Sequence, residues 1–132
     1  MILPASATVA VIDGEQFFLV RNTGHGAPRL APQPAPAIRS GGAASEGHRS
    51  SAANPDNDTQ AEDDFLAAVA ERLNRAATAG EFEDLLVIAP PRALGELRKH
   101  WSKGLKARLI GEINHDLTMR TPEQIAEAIN RA

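Results

Sequence analysis

Residues 92–108 hold six cations (Arg92, Arg98, Lys99, Lys103, Lys106, Arg108) against one acid, Glu96. Just before them stands the apolar run Leu85–Ala89, followed by Pro90-Pro91. An apolar run this short reads as a central strand, and Pro91 suits the first turn of a helix after it. Open α/β sheets take up ligands at the carboxyl ends of such strands. The backbone N–H groups of a helix start favour anions there. Pro90, Pro91, Arg92 and Arg98 are therefore the candidate contacts for a phosphate or carboxylate, with Arg49 in the loop upstream. The competing reading is a solvated helix face carrying Arg98 and Lys99.

Other chemistries find less support. Asp13 ends the first predicted strand, where a two-metal nuclease would place a carboxylate, and Asp58, Glu62, Asp63 and Asp64 could add others. However, the central strand ends in Ala89-Pro90-Pro91, with no acid at the second ligand position, and a tight turn gives Asp13 a sufficient role. No metal site is expected. His25, His48, His100 and His115 form no ligand spacing, and Glu112, His115 and Asp116 read as solvated loop residues. Ser50 and Ser51 lack a nucleophile elbow, so no catalytic residue is assigned. The glycines form neither a P-loop nor a dinucleotide fingerprint, and no cofactor is expected.

The elements that must position these groups follow from the pattern. Thr8–Ile12 and Gln16–Val20 read as strands joined at Asp13-Gly14, the dipeptide of a type I′ hairpin turn. A third strand is expected over Arg29–Gln33. Ala, Pro, Gly and Ser supply 18 of residues 31–60, and a loop over 34–60 is expected, too poor in apolar surface to order fully. Helical spacing starts near Thr59 and runs through Phe65, Leu66, Val69, Leu73 and Ala76, with Gly80 as its stop. Leu94, Leu97, Trp101 and Leu105 predict one helix ending at Gly104, then a strand over Lys106–Ile113. Thr121-Pro122-Glu123-Gln124 is a capping box for a last helix. The order β-β-β-α-β-α-β-α implies a three-layer α/β fold around a five-stranded mixed sheet, in one domain over 1–132.

Composition narrows the classes further. The chain has 132 residues, a net charge of −3, no cysteine and 4% aromatics. Disulfides, thiol catalysis and Cys-bound metals are excluded, and few aromatics are left for stacking on bases. No apolar run is long enough to span a membrane, and the first residues do not read as a signal peptide. A cytoplasmic protein is expected. Charge is uneven: residues 46–84 carry ten acids against three Arg.

Two stretches carry a family resemblance. Val11-Ile12-Asp13-Gly14-Glu15-Gln16-Phe17-Phe18 resembles the opening hairpin of the bacterial host attachment proteins, described as required for attachment to host cells. Phe82–Arg98, with Asp84-Leu85-Leu86-Val87-Ile88-Ala89-Pro90-Pro91-Arg92 at its centre, is similar to that family's middle motif, and Glu112–Thr118 to its ending. That family in turn resembles the ribonuclease H-like middle domain of eukaryotic and archaeal peptide-chain release factors. The resemblance implies a ribonuclease H-like sheet and binding to a ribosome, RNA or protein partner without nuclease chemistry. It gives no support to peptide release, because the chain has no Gly-Gly-Gln; Gly41-Gly42-Ala43 is the nearest approach. With no export signal read, any role in attachment is expected to be indirect. Two other readings stay open. One is a degenerate ribonuclease H-like metal-dependent hydrolase built on Asp13; the other is a homodimer formed through Trp101 and the strand near Lys106–Ile113.

Overall fold

A computed structural model of the chain describes residues 1–33 and 55–132. The expected loop falls mainly on residues 34–54, outside the described residues, as do Arg49 and Gly41-Gly42. Five strands make one sheet: β1 (Thr8–Ile12), β2 (Phe17–Asn22), β3 (Leu30–Pro32), β4 (Leu85–Ile88) and β5 (Leu109–Ile113). Their order is β3-β2-β1-β4-β5. β2 is antiparallel to β1 and β3, whereas β1, β4 and β5 run parallel. The helices are α1 (Pro55–Thr78), α2 (Pro91–Arg98), α3 (Lys103–Arg108) and α4 (Pro122–Arg131). This is the three-layer α/β arrangement that the sequence predicts.

Side-chain alternation explains the layers. Along β1 and β4, Ala10, Ile12, Leu85 and Val87 join Leu66, Leu73, Leu94 and Leu97 on the face covered by α1, α2 and α3. Val9, Val11, Leu86 and Ile88 face the other way, onto Ile125 and Ile129 of α4. Successive strand residues point to opposite faces, so strands buried on both sides must be apolar throughout. Phe17 and Phe18 divide between the two faces in the same way.

Three boundaries differ from expectation. Asp13-Gly14 does not form a type I′ turn, because Gly14 lies outside the positive-φ region. Instead Asp13 Oδ1 accepts the N–H groups of Glu15 (2.7 Å) and Gln16 (2.5 Å), closing a longer connection through the side chain. A Cβ at position 14 would lie 2.3 Å from Glu62 Oε1, the end of a flexible, partly exposed side chain that can swing aside, so space does not demand glycine there. α1 starts at Pro55 rather than near Thr59; Pro is well suited to a first helical position, and Asp56 and Asp58 are residue types favoured at that end of the dipole. Its C-terminus is as expected: Gly80 adopts φ 73°, with Gly80 N–H donating to Ala77 O and Glu81 N–H to Ala76 O.

The third difference is a break where one helix was expected. α2 stops at Arg98, and Ser102 caps α3 by accepting the Leu105 N–H at 3.1 Å. Gly104 and Lys106–Arg108 are therefore helical, and β5 begins only at Leu109. Asn74 of α1 bridges the break, donating to His100 O (2.8 Å) and accepting from Ser102 N–H (3.0 Å). Asn74→Ala leaves both groups without that partner and is expected to cost about 1–2 kcal/mol in urea unfolding. Trp101, only 8% exposed, packs into the α1–α3 core and is not available to a dimer edge, although β5 is an edge strand.

Candidate functional site

The chain leaves the carboxyl ends of β1, β4 and β5 as three neighbouring segments: the Asp13–Gln16 turn, Ala89–Arg92, and the loop 114–120. α1 closes over the first two. Arg92 Nη2 lies 3.0 Å from Asp63 Oδ1, and Arg92 Nη1 lies 3.8 Å from Glu62 Oε2. The third segment is tied to the first by Thr118, whose hydroxyl is 2.8 Å from both Asp13 Oδ2 and Asp116 Oδ1. A hydroxyl has one proton, so it donates to one carboxylate at a time.

Pro90 is the N-cap of α2 and Pro91 its first residue. Neither has an N–H, which removes two of the four donors that a helix start normally offers. Those remaining are on Arg92 and Ala93, beside a guanidinium already shared between two carboxylates. Pro90, Pro91 and Arg92 are thus together at the sheet edge, but with less anion-attracting character than the strand-to-helix pattern implies.

Arg98 is elsewhere. Six residues along an α-helix is a rotation of about 240°, so Arg98 turns away from Arg92 toward β5. Its Nε (3.0 Å) and Nη2 (2.7 Å) both donate to Glu112 Oε1. That hydrogen-bonded carboxylate raises the guanidinium above its ordinary pKa. The structure does not gather Arg92 and Arg98 into one cradle. Arg49 lies outside the described residues.

Glu96 accepts from Lys99 Nζ at 3.1 Å and meets His100 Nε2 at 3.1 Å. The His100 hydrogen bond first, and the Lys99 one next, lower its pKa below the ordinary 4.5. A carboxyl whose folded pKa is depressed stabilises above its unfolded pKa, and loses that contribution as pH falls through the folded value. Glu96→Gln is therefore expected to lower stability by about 0.5 kcal/mol at neutral pH. The difference from the parent should close below about pH 4, as read by urea unfolding at both pH values.

Lys103 and Lys106 of α3 and Arg120 of the last loop were not singled out from the sequence. All three are exposed and belong to no ion pair among the described residues. The positive cluster at 92–108 signalled the two lysines; partner assignment, which needs coordinates, separates them from the paired Arg92, Arg98 and Lys99. As for metal, no three His, Asp or Glu side chains among the described residues converge to hold an ion. Asp13 serves its own turn and Thr118, Glu62 and Asp63 face Arg92, and Glu112 faces Arg98.

A mixed sheet with β1 at its centre, helices on both faces and loops gathered at the parallel strands' carboxyl ends defines a three-layer α/β protein. The chain belongs to the bacterial archaeo-eukaryotic release factor family 12, whose family model matches residues 6–129. No curated protein matches the chain significantly. The match supports the release-factor side of the resemblance read from the sequence and carries no statement about attachment to host cells.

Proposed function

We propose that this protein is a non-enzymatic, cytoplasmic binding module that docks on the anionic RNA surface of the ribosome. Membership of a release-factor family over residues 6–129 carries this reading. Lys103 and Lys106 of α3 supply the charge, and Arg92 and Arg98, on different sides of α2, can each add a contact by exchanging a carboxylate for a phosphate. Phosphate contacts of this kind give affinity without base recognition, which suits a chain with 4% aromatics. Among the described residues no helix is long and apolar enough to cross a membrane. In this reading any influence on attachment to host cells is indirect, and native protein found mainly at the cell surface would contradict it.

Co-sedimentation with bacterial ribosomes over a salt series tests the proposal. Arg92→Ala/Arg98→Ala and Lys103→Ala/Lys106→Ala are each expected to weaken association by about tenfold and to flatten its salt dependence. Melting temperature should stay nearly constant, since exposed ion pairs contribute little. Unchanged association in both double variants would sink the reading.

A further inference from the structure

We propose that a cavity between β2 and the C-terminal half of α1 binds a small monocarboxylate with an apolar body. The cavity measures about 300 Å³ and is walled chiefly by Phe17, Leu19, Leu73 and Phe82, with Arg21 and Arg72 among its polar groups. Its size and mixed lining are those of a small-molecule site. It is distinct from the proposed ribosome surface: Arg21 pairs across the sheet with Thr8, the first residue of β1, at the opposite end of that strand from Asp13.

The argument rests on Arg21. Its Nε is buried without a hydrogen-bond partner, and its Nη2 donates only to the Glu81 backbone carbonyl at 3.3 Å. No carboxylate pairs with it among the described residues. The Nε is sealed from the cavity as it is from water, so what a ligand meets is the outer edge of the half-buried guanidinium, where a carboxylate can replace solvent. Arg72 and Glu81, both also at the cavity, pair at 3.4 Å, which leaves one positive charge uncompensated among the described residues. One charge calls for a monoanion. The planar guanidinium fork matches a carboxylate, while the aromatic and aliphatic walls suit an apolar chain or ring rather than a heavily hydrated phosphate.

Titration of the full isotope-labelled chain with octanoate, followed by amide chemical shifts, tests the site. Saturable shifts centred on Leu19, Arg21, Leu73 and Phe82 are expected, with a Kd of about 1 mM or below. Octanol, the neutral counterpart, should bind at least about tenfold more weakly, and Arg21→Gln should lose a similar factor. The octanol comparison needs no substitution, so it decides even if Arg21→Gln misfolds. Absence of saturable shifts, equal binding of octanol, or undiminished binding by a folded Arg21→Gln overturns the proposal. None of these outcomes bears on ribosome association, which is read by sedimentation.

Discussion

Asn22→Asp is expected to remove about 3–4 kcal/mol of unfolding free energy, a large share of what a domain of this size has. Asn22 ends β2 and is 1% exposed. Its Nδ2 donates to Leu3 O and Pro4 O, both at 3.0 Å, and its Oδ1 accepts from Gly24 N–H and Arg29 N–H, both at 3.0 Å. A primary amide has two donor hydrogens and an oxygen that accepts twice, so this one is fully used. It joins the N-terminal segment to the β2–β3 turn. An aspartate keeps the acceptor but sets a second, charged oxygen against two carbonyls. Asn22→Ala, which only leaves the four groups unpaired, should cost about 2–3 kcal/mol. Urea unfolding at neutral pH measures both. A loss below about 1 kcal/mol for Asn22→Asp would mean that water, not this amide, satisfies the turn.

Ile129→Ala should cost about 3–4 kcal/mol. One face of the sheet has three helices over it and the other has α4, whose buried residues are Ile125 and Ile129. Ile129 is 0% exposed. Removing it opens a cavity above Val9, Val11, Leu86 and Ile88 and leaves Ile125 as the one remaining buried residue of α4. The capping box, with Thr121 Oγ1 accepting from Gln124 N–H at 3.1 Å and Gln124 returning a bond to Thr121 N–H, holds the start of the helix in place. Glu127→Ala, on the exposed side of the same helix, is the control and should stay within about 0.5 kcal/mol. If both variants unfold at the same urea concentration, α4 is not what seals that face.

The fold was legible wherever local pattern and tertiary demand agree. Val9–Ile12 and Leu85–Ala89 are apolar at every position because both faces of those strands are covered. Thr121-Pro122-Glu123-Gln124 stops and starts backbone through its own side chains, so that boundary needs no partner to be read. The misread boundaries are those decided by residues distant in the chain. Asp13 is held by Thr118, far along the chain, and closes its turn through its own side chain, which a dipeptide rule cannot see. The break between α2 and α3 depends on Asn74, whereas Leu94, Leu97, Trp101 and Leu105 keep helical spacing across it. Among the candidate contacts, the proline pair could be placed from sequence, but Arg92 and Arg98 could not be assigned carboxylates without knowing that α1 and β5 flank α2. The charge cluster at 92–108 located the basic surface, and only pairing showed which of its members are unengaged.

The central position of β1 has a kinetic consequence. β1 and β2 meet through a short turn, but the other side of β1 pairs with β4, so Thr8 is matched with Leu85. As the chain is synthesised, the first hairpin can close early, while the second row of β1 backbone donors and acceptors must wait until residues beyond Ile88 emerge. Such sequence-distant pairing slows folding, into the millisecond-to-second range at roughly the contact orders of mixed and all-β domains. An unsatisfied strand edge is sticky in the meantime. Nascent chains halted before β4 should therefore associate through this ribbon, whereas those that extend through α4 should remain monomeric.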